Sequence, residues 1–137
     1  MGYSAGMRRF KDRPVIKTRP CRNTRCGKAP HGEFRPFDDL IMLFTHEDDL
    51  PIWTMFTKIH ESFHWLYKDI LSASEVLMPH HEIPCEQHAS RMAVQVMEKL
   101  GIPRYKLVEA VLQLPIRFRH TRNLLFELGL DTEFDEC

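Results

Sequence analysis

The five residues His60-Glu61-Ser62-Phe63-His64 constrain this chain more than any other stretch, because H-E-x-x-H carries chemistry only when its backbone is helical. On an α-helix, positions i and i+4 share a face with Cβ atoms about 5–6 Å apart, so two imidazoles reach one ion. Zinc on His60 and His64 requires a third protein ligand and keeps a fourth position for water, whose pKa falls to about 7. Glu61 is then placed to take that water's proton, which is the chemistry of metal-assisted peptide hydrolysis. The alternative for two such histidines is a pair of half-buried side chains hydrogen-bonded to backbone.

The flanking sequence supplies the helix. From Asp49 to Leu71 the apolar residues Ile52, Met55, Phe56, Ile59, Phe63, Leu66, Tyr67, Ile70 and Leu71 recur at steps of three and four, the period of an amphipathic helix. Asp48 or Asp49 caps its start, with Pro51 in the first turn. His60 and His64 fall on the border of the apolar stripe, turned toward the interior.

A second segment offers the third ligand. Residues 72 to 83 read as a loop or broken turn, and Pro84-Cys85-Glu86 then opens another helix. Its apolar positions Ala89, Met92, Ala93, Val96, Met97 and Leu100 run to Gly101, which stops it. Glu86 therefore lies in a first turn, and a hairpin-like return of this helix over the first completes a His-His-Glu set. Glu82 is the fallback ligand from the preceding loop. Cys85 is read as a small buried residue at the helix start, although its thiolate could replace the carboxylate and make the site more inert.

With those two segments in view, the chain resembles the ImmA/IrrE metallopeptidase family. Thr57-Lys58-Ile59-His60-Glu61-Ser62-Phe63-His64-Trp65-Leu66 is similar to the family's H-E-x-x-H helix, and Glu86-Gln87-His88-Ala89-Ser90-Arg91-Met92-Ala93 to its E-x-x-A-[ND]-x-[FM]-A helix. The likeness covers about Leu40 to Leu100 and includes the strand-like run Leu40-Ile41-Met42-Leu43-Phe44. It implies a small gluzincin-type enzyme with zinc on His60, His64 and Glu86 and a catalytic base at Glu61. It also implies a protein substrate, in that family often a transcriptional repressor.

Three positions depart from the pattern. Lys58 stands where an uncharged residue is usual, Phe63 replaces a common glycine, and Ser90 replaces the Asp or Asn that would hydrogen-bond the ligands. Partners of this kind are worth about 10–100-fold in metal affinity or activity. An electrophile for the tetrahedral intermediate is not singled out by sequence order among Tyr67, His80, His81, His88, Tyr105 and His120.

Charge divides the chain. Residues 1 to 30 hold nine Lys or Arg against one acid, and the remaining 107 hold ten against eighteen, so a net charge of zero conceals +8 against −8. The division reads as a basic Pro/Arg-rich arm, 1–30, and a metallopeptidase-like domain, 31–137. The arm either packs on the acidic body or offers nucleic acid an electrostatic surface, with only Tyr3 and Phe10 for stacking. Cys21, Cys26 and His31 hint at a second zinc site but lack an evident fourth ligand. No apolar run reaches the roughly 20 residues of a membrane helix, and the first thirty lack a signal peptide's apolar centre, so the expected setting is the cytoplasm with reduced cysteines.

The expected fold is α+β: one mostly helical domain with a small sheet on its N-terminal side and a zinc site between two helices, a minimal zincin-like arrangement. Val15-Ile16, Glu33-Phe34-Arg35 and Leu40 to Phe44 are the strand-like pieces, with Pro36 confining the second to an edge. Leu40 to Phe44 is expected to offer an edge to an extended substrate. Two further helices follow, one after Pro103 carrying Leu107, Val108, Val111, Leu112 and Leu114, and one carrying Phe118, Leu124, Leu125, Phe126 and Leu128 up to Gly129. The function expected first is a zinc endopeptidase. A zinc-stabilised binding module without turnover and a nucleic-acid-binding accessory protein are the competing readings.

Overall fold

The computed structural model describes residues 13–20, 31–45, 51–78, 82–112 and 124–130. Three strands, β1 (Val15–Pro20), β2 (Gly32–Arg35) and β3 (Leu40–Thr45), form one sheet in the order β1-β3-β2. β1 runs parallel to β3 and β2 antiparallel to it. Leu40 through Leu43 are all buried, and such burial on both faces explains a continuous apolar run where a half-exposed strand would alternate. The expectation that β3 offers a free edge is therefore corrected: its backbone is paired on both sides, and β2 is the edge, as Pro36 required. β1 lies within the basic 1–30 segment by sequence and within the sheet by pairing, so residue 30 does not separate arm from body.

Helix α1 (Pro51–Tyr67) carries the H-E-x-x-H residues and α3 (Pro84–Lys99) carries Glu86. The two lie antiparallel. Trp53 and Phe56 of α1 share a buried cluster with Ala93, Val94 and Met97 of α3, while Phe63 and Leu66 meet Ala89 together with Ile41 and Leu43 of the sheet. α4 (Arg104–Leu112) adds Leu107 to the first cluster, and the helical turn at 124–127 adds Leu124 and Leu125. Trp53 and Phe56 are fully buried, and truncating either to Ala is worth about 3–5 kcal/mol. The C-terminal helices thus seal the end of the α1–α3 pair nearer Trp53, leaving the end with His64 and Glu86 beside the sheet. Positions 48–50 and 113–123, where the first cap and part of the last helices were expected, lie outside the described residues.

Two local features differ from expectation. α1 stops at Tyr67 and not near Leu71, because Lys68 turns left-handed (φ 53°), with the N–H of Lys68 bonded to the carbonyl of Trp65 and that of Asp69 to His64. That is a Schellman termination built without glycine. The segment after it is not all loop: α2 (Ala73–Val76) forms on a capping box, in which Ser72 Oγ accepts from Glu75 N–H and the Glu75 carboxylate accepts from Ser72 N–H. The Ser72-Ala73-Ser74-Glu75 signature is present in the sequence. The whole is a mixed α+β fold, mostly helical, in which no described helix is long and apolar enough to cross a membrane.

Candidate metal centre

Antiparallel packing of α1 on α3 brings one turn of each helix into register. His60 Nε2 lies 2.8 Å from Glu86 Oε1, His64 Nε2 lies 2.7 Å from the same oxygen, and the two nitrogens are 3.1 Å apart. A tetrahedral ion with bonds of about 2.0–2.1 Å separates its ligands by about 3.3 Å, so this hydrogen-bonded triangle is a few tenths of an ångström smaller than one face of such a site. Both histidines are buried and their rings meet edge to face, which removes the half-buried alternative. Glu61 is buried too, with a carboxylate oxygen within 4.8 Å of a ring nitrogen of each histidine.

The remaining ring nitrogens are held as well. Ser90 Oγ lies 3.0 Å from His60 Nδ1, one turn along α3 from Glu86. Serine thus keeps the contact that its replacement of Asp or Asn put in question. His64 Nδ1 donates to Asp69 Oδ2 at 2.7 Å, and it is the left-handed turn at Lys68 that swings Asp69 back under the last turn of α1. Sequence reading missed Asp69. A ring that donates from Nδ1 to a carboxylate presents Nε2 to an ion, the usual outer partner of a metal-binding histidine.

Charge gives a second test of fit. Glu61, Asp69, Glu75 and Glu86 are all buried, and the residues lining the adjacent cavity of about 190 Å³ include no Lys or Arg among those described. Burying charge costs on the order of several kcal/mol per ion, so carboxylates gathered this closely favour a proton or a cation among them. Part of that need is met by a proton. Burial alone would lower His64, but the charges of Glu86 and Glu61 and the hydrogen bonds to Asp69 and Glu86 hold its pKa well above 6.5. His60, by contrast, is pushed down to about 4 by burial, against the pull of Glu86. The two rings are thus driven in opposite directions, His64 toward its charged form and His60 toward its neutral one, and a divalent ion in place of the His64 proton would also offset the carboxylates. Two imidazoles and a carboxylate suit zinc.

Edge strand β2 closes one side of the cavity. Gly32, Glu33 and Phe34 line it together with Glu61, His64 and Glu86. A Cβ on Gly32 would lie 2.8 Å from Thr57 Cγ2 and 3.1 Å from Glu61 Cγ, so glycine is what lets the strand press onto α1 beside Glu61. Phe44 N–H bonds to His31 C=O, and in antiparallel alternation the N–H and C=O of Gly32 and Phe34 consequently turn away from β3, toward the cavity side.

Other candidates fall elsewhere. Glu82 is exposed and does not line the cavity, so the fallback ligand is not brought in. Lys58 is exposed on the far side of α1, and Phe63 is buried against Tyr67. Of the electrophile candidates, Tyr67 packs on His88 and Tyr105 is exposed, and none of the three lines the cavity. His80, His81 and His120 lie outside the described residues, as do Cys21 and Cys26. His31 is buried and its ring accepts the indole N–H of Trp53. No protein-family model, curated protein or solved structure matches this chain.

Proposed function

We propose that this chain is a zinc-dependent endopeptidase, of minimal zincin-like build, in which His60, His64 and Glu86 hold the metal and Glu61 is the general base. The observation that carries the reading is the convergence of His60, His64 and Glu86 within 3.1 Å of one another, with Glu61 at their side. When bound, zinc supplies a Lewis acid and a water of lowered pKa. Asp69 and Ser90 hold the two imidazoles in the orientation that aims Nε2 at the ion. Glu61 takes the proton of the attacking water and passes it to the leaving amine. The outward N–H and C=O groups of Phe34, on the partly exposed part of edge strand β2, give an extended polypeptide backbone to pair with, which favours a protein substrate over a small molecule. The resemblance to the ImmA/IrrE family extends the reading to a cytoplasmic regulatory protein such as a repressor.

Glu61→Gln separates the base from the ligands. The variant is expected to keep one zinc per chain and its melting temperature while cleavage drops by about 10²–10⁴-fold. Newly formed protein termini, compared between cells expressing wild type and Glu61→Gln, provide the measurement whichever protein is cut. One observation favours a second reading, a metal-stabilised binding module: no described residue on the cavity wall is an evident electrophile for the tetrahedral intermediate. Identical sets of termini from two fully zinc-loaded proteins would select that module over the peptidase.

A further inference from the structure

Cys85, one residue before Glu86, is 1% exposed, yet it belongs to neither of the two apolar clusters. Burial first, and then the carboxylates of Glu86, Asp69 and Glu75, push its thiol up, so that only a cation beside it would favour the thiolate. It lines the same cavity as His64 and Glu86, and its Sγ, a His64 ring nitrogen and a Glu86 oxygen all lie within 4.8 Å of one another. A shared ion with bonds of about 2.0–2.3 Å needs only small side-chain movements to gather such a set. A second group points the same way. Asp69, with its side chain 4% exposed, also lines this cavity, and its Oδ1 has no hydrogen-bond partner among the described residues. Cysteine sets a polarisable sulfur, a good ligand for a soft or borderline cation, among these carboxylates.

We propose that Cys85 is a fourth, exchangeable protein ligand of the metal centre, competing with water for the position that the His60-His64-Glu86 set leaves open. The inference rests on those three residues forming a metal centre. Entry of the thiol breaks the S–H bond, releases its proton to solvent and forms one sulfur–metal bond as one water departs. The centre is then closed and inert with the thiolate on, and open to water with it off. A thiolate also shifts preference toward softer ions, so the centre holds cadmium more tightly relative to zinc than two histidines and a glutamate would.

The test uses the full chain, stripped by chelation and reloaded with cobalt(II), cadmium or zinc alone. Wild type is expected to show sulfur-to-cobalt charge-transfer absorption in the near ultraviolet, and Cys85→Ser and Cys85→Ala to bind one cobalt without that band. The chain has four cysteines, so the band must persist when Cys21, Cys26 and Cys137 are all changed to Ser; its loss there would assign it elsewhere and overturn the proposal. The cadmium-to-zinc affinity ratio is expected to fall by about tenfold or more in Cys85→Ser. Equal spectra and equal ratios in wild type and Cys85→Ser, each with one metal bound, overturn the fourth ligand while leaving the three-ligand centre standing. Failure of wild type to bind cobalt or zinc overturns both. Should the Cys85 variants not fold, the triple variant that keeps only Cys85 still decides by the presence or absence of its band.

Discussion

Asp69 and Ser90 each hold the ring nitrogen that faces away from the candidate ion, and their removal measures how much orientation contributes. Asp69→Ala is expected to weaken zinc by about 10–100-fold, and Ser90→Ala by less, because a hydroxyl is a weaker partner than a carboxylate. Competition against a chromophoric chelator reads this directly, and unchanged affinity in Asp69→Ala would remove it from the centre. His60, His64 and Glu86 were legible in the sequence because helical periodicity fixes which side chains share a face, and one hairpin-like return joins two such faces. Asp69 was not legible. Its position depends on a backbone reversal at Lys68, and lysine gives no signal of left-handed conformation. Ser90 was read by residue type, as a departure, when the deciding quantity was the 3.0 Å reach of its hydroxyl across the helix pair.

Among the described residues, three helical ends close in the same way, with Gly101, Gly129 and Lys68 left-handed at the reversal. The two glycines marked their ends in the sequence; the lysine left α1 four residues too long in the expectation. A left-handed L-residue costs roughly 1–2 kcal/mol, partly offset by the greater chain entropy that glycine loses on folding, so Lys68→Gly is expected to stabilise by about 0.5–1 kcal/mol. Denaturant midpoints check it; destabilisation would show that the lysine side chain contributes something the backbone does not reveal. Strand β2 gives the opposite case. In Gly32→Ala the new methyl meets Thr57, Glu61 and the Met42 carbonyl, so a loss of about 1–3 kcal/mol is expected, with partial recovery when Thr57→Ser removes the nearest atom. The strands themselves were legible as apolar runs, but their order was not, since pairing partners are set by tertiary packing that no short window of sequence contains.

At the scale of the whole molecule, the proposed zinc centre sets proton and metal in competition for the same cluster. In the metal-free protein the raised pKa of His64 gives stability that is complete below about 6.5 and lost as pH rises through the folded value, while the lowered pKa of His60 gives stability that is lost as pH falls from about 6.5 toward 4. Zinc must displace the His64 proton, so its affinity rises over the range in which metal-free stability falls. The gap in melting temperature between zinc-loaded and chelated protein is therefore expected to widen above about pH 6.5, and a constant gap would mean that His64 carries no proton there. If the basic segment held to the acidic body by charge alone, deleting residues 1 to 30 would destabilise the fold only at low salt. Because β1 is a paired strand, that deletion is expected instead to destabilise the fold at low and high salt alike, whereas removal of residues 1 to 12 isolates the arm for nucleic-acid binding assays. The sheet's two outer strands are also guarded unequally. β1 presents Lys17, Arg19 and Pro20, which repel a further strand, while β2 is only four residues long, with Gly32 buried against α1 and Glu33 to Arg35 partly exposed. A second copy of this chain and an extended guest would thus meet the same short edge, so a peptide that pairs with Phe34 is expected to slow aggregation at high concentration.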